Sequence, residues 1–284
     1  NDWKDLATVV LKSTSYLYYD SNAPIGQKRY YRVLDLGGGS SGNQPSDNPA
    51  NMVWIKPGSF LLGSPESDPD LTDFELPQSK VTLTYGFWIA KYEVTQEDYE
   101  ALMGVNPSAF FDDPKLPVES VSWDDAVRYC AQFNAQEQKA GRLPAGFAYR
   151  LPTEEEWEYA ARGGKATRFS FGDDLDYLLV DNYAWTVENS DNTTHPIGEK
   201  SPNAWGLYDV YGNVSEWCIS PFTVYTEDAK TNPAASASGT VDRVFRGGSW
   251  SDTASGGRSA ARGGLSQDSQ LASLGFRLVL APTR

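Results

Sequence analysis

Few residues in this 284-residue chain are equipped for covalent chemistry. There are two cysteines, Cys130 and Cys218, and one histidine, His195. Two cysteines are too few for a disulfide framework or a zinc ribbon, and each sits among apolar neighbours, so two buried thiols are expected rather than a bridge. A single histidine rules out a multi-histidine metal site and disfavours a Ser/His/Asp triad. His195 follows the Asn/Asp/Thr-rich run from Asn189 to Thr194 and is expected at the surface. Adjacent carboxylates at Glu154, Glu155 and Glu156 could be taken for an acid–base pair. Thr153 with Glu156 three residues on is instead the pattern of a capping box, which accounts for these acids as the start of a helix.

The remaining candidate is the C-terminal tail. A frame Phe245-Arg246-Gly247-Gly248-Ser249-Trp250 is answered by Leu274-Gly275-Phe276-Arg277-Leu278-Val279. Between them, 14 of the 23 residues from Ser251 to Ser273 are Ser, Ala or Gly, and none is aromatic, in a chain that is 13% aromatic. A flexible linker would not be interrupted by Arg258 and Arg262 or lead straight into Leu274–Leu280, which reads as a core strand. Arginine suits the holding of irregular loops, because its planar fork bonds several carbonyls or carboxylates together. Gly247, Gly248 and Gly275 are read as turns closed to other residues.

The elements that must position this tail follow from pattern. The hydrophobic fraction is 40%, with 9 Trp, 16 Tyr and 12 Phe, enough for a substantial aromatic core. Residues 1–36 read as a β-rich N-terminal extension, 37–51 as a Gly/Ser/Asn linker, and 52–284 as the main domain. Met52–Ile55 and Phe60–Leu62 predict a hairpin around Pro57-Gly58, and the stretch from Val81 to Val94 contains another strand run ending in Phe87-Trp88-Ile89. Thr95, Ser122 with Asp125, and Thr153 with Glu156 predict three helix starts. After Arg162 the chain turns rich in Gly, Asn and Asp, with no long helical period. The class is α+β with much irregular structure.

Charge excludes some partners. With 24 basic and 38 acidic residues the net charge is −14. A nucleic-acid binder needs clustered cations, and docking on anionic lipid needs the same. No apolar run approaches the roughly 18 residues needed to span a bilayer. From Asn1 the chain reads as a mature or trimmed form, without a signal peptide or lipobox cysteine.

The order of several motifs resembles the formylglycine-generating-enzyme, or sulfatase-modifying-factor, family. These are Met52–Phe60, Tyr92–Thr95, Leu116–Trp123, Tyr149–Arg162, Ala204–Asp209, Gly212–Cys218 and the two tail frames, spanning about residues 50–281. The resemblance implies a C-type-lectin fold of the formylglycine-generating-enzyme type. The oxidases of that family hold copper through two cysteines soon after the Gly-Gly-Ser frame, where this chain has Ser251–Gly257. Serine hydroxyls do not replace thiolates on a soft Cu(I) ion. A second enzymatic branch, the iron sulfoxide synthases, needs several histidines. No enzyme is therefore expected, the oxidase standing as the disfavoured alternative beside an invariant structural or partner-binding paralogue.

The tail itself is similar to the variable proteins of diversity-generating retroelements: Gly-Gly-Ser-Trp, a mutable block, Arg, a second mutable block, then Gly-Phe-Arg-Leu. That resemblance implies mutable, ligand-contacting positions within a variable region at about 247–280. They are Ser251, Asp252, Thr253, Ser255, Gly256, Ala261, Gly263, Gly264, Leu265, Ser266, Ser269, Leu271, Ala272 and Ser273. It implies fixed framing residues at Arg246, Gly247, Gly248, Trp250, Arg258, Arg262, Gly275, Phe276 and Arg277, with Trp250 open to a core role instead. Error-prone copying of template Asn codons never yields Lys, Glu, Gln, Met or Trp, and none of the fourteen positions carries one. Gln267 and Gln270 depart from the pattern, where Pro and Arg are common.

The expected partner is a protein or other macromolecule at the variable surface, with no nucleic acid and no cofactor. The expected location is the cell surface, as an outer-membrane lipoprotein anchored through a lipid that this sequence does not hold. Asn213 and Glu216 are candidate calcium donors, since oxygen ligands of that kind suit the ion and some family members bind it near this segment. A structural hydrogen-bonding role for the pair is the competing reading.

Overall fold

The structure is a computed structural model that describes residues 49–233 and 242–283. The expected extension over 1–36, and the linker up to residue 48, lie outside the described residues. Eleven strands and three helices are described. In chain order they are β1 (Met52–Ile55), β2 (Gly58–Leu62), β3 (Ser79–Leu83), β4 (Phe87–Ala90), α1 (Gln96–Met103), α2 (Trp123–Lys139), β5 (Phe147–Arg150) and α3 (Glu154–Arg162). There follow β6 (Ser215–Pro221), β7 (Lys230–Thr231), β8 (Arg243–Arg246), β9 (Arg262–Leu265), β10 (Leu274–Gly275) and β11 (Val279–Pro282). From Gly163 to Val214 the only helical element is the short turn Val180–Asn182. This is the mixed α+β class with much irregular backbone.

All three helices start where their caps predict. Thr95 accepts from the Asp98 amide at 3.1 Å. Ser122 and Asp125 satisfy each other's backbone amides, as do Thr153 and Glu156, two complete capping boxes. The helix α1 ends at Gly104 and α3 at Gly163, both in the left-handed conformation that terminates helices.

The strands form three sheets, in the orders β1-β4-β11-β5, β10-β6-β8-β9 and β2-β3-β7. Two expectations fail here. The expected hairpin of β1 with β2 is absent: β1 pairs with β4 and β2 with β3. Pro57 has no N–H to extend the β1 ladder, so Lys56-Pro57 steps the chain from one sheet to the next. Ile55 and Leu62 still reach the same core from their different sheets. The tail run Leu274–Leu280 is likewise not one strand. The strand β10 lies parallel to β6, whereas β11 sits between β4 and β5. Between them Phe276 and Leu278 accept from the Val94 and Ala90 amides, at 2.9 and 2.8 Å, and carry the chain across two sheets.

Two apolar clusters fill the interior. One gathers Trp157, Tyr211 and Phe169 with Ile55, Leu62 and Phe87; the other gathers Trp88, Trp217, Phe276 and Leu280 with the inner face of α2. Cys130 and Cys218 are free and buried, one in each cluster. Burial pushes the Cys130 thiol up to about 12 and raises that of Cys218 as well. His195 departs from its expected place on the open surface. It is half-buried, stacked on Trp185 at 3.6 Å between ring centroids, with Nε2 2.9 Å from the Ser190 carbonyl.

Candidate functional site

The tail leaves β8 at Gly247 and Gly248, both at positive φ (96° and 66°). At Gly248 a Cβ would press within 3.0 Å of the Gly256 and Gly257 backbone, so the first turn of the tract folds back tightly on glycine. Ser251–Thr253 follow, then a short helical turn, Ala254–Gly257, and the edge strand β9. Ser249 Oγ donates to Asp252 at 2.6 Å and pins this start.

Four arginines hold the tract, each with its guanidinium buried or its side chain fully covered. Arg246 donates to the carbonyls of Ser259 and Ala261, at 3.0 and 2.8 Å, and pairs with Glu158. Burial opposes its charge, but the neighbouring Tyr225, Glu158 and Glu154 hold its pKa above the ordinary arginine value. Arg258 reaches 2.7 Å from Glu75, 3.1 Å from Asp68 and 3.2 Å from Ser64, and its Nε bonds Ser255 O at 2.9 Å. Arg262 grips both oxygens of Glu154, at 2.6 and 2.9 Å, and donates to Phe74 O and Thr223 O. Its guanidinium lies over the rings of Phe222 and Tyr225, 4.5 and 4.1 Å from their centroids. Arg277 grips both oxygens of Glu216, at 2.7 and 2.6 Å, and bonds Tyr208 O at 2.9 Å.

The acidic partners explain residues that the sequence alone assigns to capping. Glu156 does complete the cap of α3, but Glu154 and Glu158 of the same helix project to the tail arginines. The signal was available: between residues 243 and 277 stand five arginines, Arg243, Arg246, Arg258, Arg262 and Arg277, and buried arginines need buried carboxylates. Among the described residues Glu155 has no such partner, and it is pushed up to about 7 by burial and by the adjacent Glu154 charge.

Around this frame the fourteen positions are distributed as follows. Ser251, Asp252, Thr253, Ser266 and Leu271 are exposed; Ser255, Gly256, Gly263, Gly264, Leu265, Ser269, Ala272 and Ser273 are half-buried; Ala261 is buried. Arg246, Gly247, Gly248, Arg258, Gly275, Phe276 and Arg277 are buried. Trp250 is half-buried: its Nε1 donates to Ala272 O at 2.9 Å and its ring meets Phe110 edge-on. It therefore ties the beginning of the tract to its end. At Gly275 a Cβ would collide with the Val118 carbonyl, so β10 passes there only as glycine. A cleft of about 220 Å³ opens beside the tract, its lining shared between Asp70, Thr72 and Glu75 of the loop after β2 and tract residues that include Asp252 and Ser255.

Asn213 and Glu216 are fully buried and their polar atoms are engaged. Asn213 Oδ1 accepts from the His195 amide at 3.0 Å, and its Nδ2 donates to His195 O. Glu216 holds Arg277 and accepts from Trp157 Nε1 at 2.7 Å. A cation entering here would have to displace Arg277. Behind them Glu93 is raised well above the ordinary carboxyl range by burial and by the charges of Asp209 and Glu216, and burial pushes Asp209 up to about 6. Among the described residues, no group of three or more His, Cys, Asp or Glu side chains is arranged to hold a metal ion.

Comparison with known proteins matches residues 39–282 to the sulfatase-modifying factor enzyme 1-like domain. The mouse formylglycine-generating enzyme is 31% identical, over 88% of this chain and 80% of its own length. The mouse inactive C-alpha-formylglycine-generating enzyme 2 is also 31% identical, over 85% and 81%. Among solved structures, Treponema denticola variable protein 1 superposes with a TM-score of 0.71 at 31% identity, covering 81% of this chain and 95% of its own. Proteins named as enzymes and a protein named as inactive thus share this architecture. With its C-type-lectin-like α+β fold, the chain belongs to the sulfatase-modifying-factor, or formylglycine-generating-enzyme, family.

Proposed function

We propose that this chain is a non-enzymatic binding protein, whose tail presents a retroelement-diversified face on a constant scaffold at the cell surface. The observation that carries the reading is the division of labour within one stretch of 38 residues, Gly247 to Arg284, and the strand just before it. Arg246, Arg258 and Arg277 are buried and bonded to partners on distant elements, while the side chains of Ser251, Asp252, Thr253, Ser266 and Leu271 face solvent and, where they bond, do so only to residues two or three positions away. Contact positions can vary only if the backbone beneath them does not depend on their identity, and pre-organisation of that backbone limits the entropy lost on binding. The likeness to Treponema denticola variable protein 1 supports the same reading.

The small side chains of the tract make this version of the face shallow. Hot spots are enriched in Trp, Tyr and Arg, and the tract's own arginines are turned inward. Any anchor must come from Trp250 or from loops beside the tract. A library on this scaffold, randomised at Ser251, Asp252, Thr253, Ser266 and Leu271 and selected against a folded target such as lysozyme, should yield folded binders. Selection of binders only after changes in the arginine frame would overturn the reading.

The family also contains proteins named as formylglycine-generating enzymes, so an oxidase is the rival. The copper site of those enzymes requires thiolates in the stretch after Gly-Gly-Ser, and Cys130 and Cys218 are instead buried in the two apolar clusters with raised pKa values. Stoichiometric Cu(I) binding with thiol-dependent oxygen uptake by the purified chain would revive the rival; neither is expected.

A further inference from the structure

We propose that Phe222 and Phe245 are movable parts of the binding face: their rings fill the space of side chains that Gly264 and Gly263 lack, so that another residue at 263 tilts Phe245 and one at 264 drives Phe222 outward. The inference rests on the reading of the tract as a variable face.

Strand β9 is the edge of its sheet, and its register sets Gly263 opposite Phe245 and Gly264 opposite Val244. A glycine on an edge strand leaves a bare stretch of backbone, which a neighbouring aromatic can cover. A Cβ built on Gly263 would fall on Phe245 Cζ, with Cε1 at 2.6 Å; one on Gly264 would fall on Phe222 Cγ, with Cδ1 and Cβ at 2.6 and 2.7 Å. Neither glycine is at positive φ, so the backbone accepts an L side chain, and the nearest atoms in its way belong to the two phenylalanines.

The two obstructions differ. At Gly263 the obstacle is the tip of the ring, which a tilt of Phe245 relieves. At Gly264 it reaches back to Cγ and Cβ, so the Phe222 ring must leave by rotation about χ1. Phe222 is half-buried, with Phe74 edge-on at 5.3 Å and the Arg262 guanidinium above it. Phe74 is itself 52% exposed and Val224, two residues along, 79% exposed. An expelled Phe222 ring therefore joins side chains that already face solvent. In this chain both rings lie down and the face beside β9 is flat. A chain with a side chain at 264 gains an apolar anchor from a residue outside the mutable set, suited to an apolar side chain of a protein partner. One variable position thus changes two contact residues.

The test is a double-mutant cycle in the whole chain, with Gly264→Asn and Phe222→Ala read by urea denaturation and by binding of anilinonaphthalene sulfonate. With Phe222 present, Gly264→Asn should lower the folding equilibrium constant at least about tenfold, the size of an overpacking defect. In the Phe222→Ala background the same change should cost less than about twofold. Dye binding should rise on Gly264→Asn only when Phe222 is there to be expelled. Equal losses in both backgrounds, or no rise in dye binding, would overturn the proposal. If Gly264→Asn alone does not fold, a folded double variant supports it and an unfolded one contradicts it. The cycle uses no partner, so its failure leaves the variable-face reading standing. An unvarying tail would instead remove that reading without touching the ring movement.

Discussion

Arg258, in the middle of the tract, holds both carboxylate oxygens of Glu75, 2.7 Å from Oε2 and 2.8 Å from Oε1. The residues are 183 positions apart, so Arg258 fastens the tract to the loop after β2 as well as, through Nε, to Ser255 close by. The same loop supplies Ser64 and Asp68, which meet the same guanidinium. The rigidity of the face is a property of these distant attachments.

Removing Arg258 should be costly out of proportion to one side chain. Arg258→Ala leaves Glu75 buried without its cation and Asp68 with Arg168 alone, and about 3–5 kcal/mol of stability should be lost. Replacing Arg258 by Met together with Glu75 by Leu should recover part of that loss, because the uncompensated charge is gone. Urea denaturation of the single and double variants checks both statements.

Exposed contact positions should behave in the opposite way. Ser251→Tyr, Thr253→Tyr and Ser266→Tyr should each change stability by no more than about 0.5 kcal/mol. Gly275→Ala should cost about 2 kcal/mol or more, since its methyl meets the Val118 carbonyl and the Val214 side chain. Thermal denaturation of the four variants side by side distinguishes face from frame.

Stability should rise as the pH falls from 8 towards 5. Asp209 is pushed up to about 6 from 3.8, Glu155 to about 7 from 4.5, and Glu93 is raised as well, in each case first by burial. A raised carboxyl means that the folded chain keeps a proton which the unfolded chain has released. Its contribution is complete below the unfolded pKa and is lost as the pH climbs through the folded one. For Asp209 and Glu155 that window runs from roughly pH 4 to 7. Asp70 is lowered chiefly by Tyr177, and hydrogen bonds to Arg258 and Ser64 lower Glu75 against the cost of its burial. Their contribution is lost on acidifying further, through their depressed folded-state values. A denaturation midpoint that rises to a maximum near pH 5 and then falls is the expected profile. Glu155→Gln should flatten its alkaline side.

The thiols should be silent in the folded chain. Cys130 and Cys218 are buried with raised pKa values, and the thiolate is the reactive form. A disulfide reagent such as dithionitrobenzoate should label neither at pH 8 until denaturant is added, when both should react.

The legible and the illegible parts of the fold divide by range. Thr95, Ser122 with Asp125, and Thr153 with Glu156 announce their helices because a cap is settled within four residues. The pairing of β1 with β4 is not local, and Pro57-Gly58 imitates a hairpin turn while it moves the chain between sheets. Leu274–Leu280 has the composition of one strand, yet Leu278 bonds to the end of β4 and Phe276 to the segment after it, and the run divides between two sheets. Glu154 reads as a helix-start acid, because nothing local says that Arg246 and Arg262 arrive from the tail to meet it and Glu158. The roles of Phe222 and Phe245 depend on how β9 lies against its neighbours, which no spacing in the chain reveals.

The central claim is a constant frame around a changeable face, and the most direct measurement is of change itself. The coding segment for Arg246–Arg277 should be sequenced in many cells of the strain that carries it. The account predicts substitutions confined to the fourteen positions from Ser251 to Ser273, at codons derived from adenines, with Arg246, Trp250, Arg258, Arg262 and Arg277 constant throughout. A tail identical in every lineage, or changes falling equally on the arginines and the exposed serines, would contradict it.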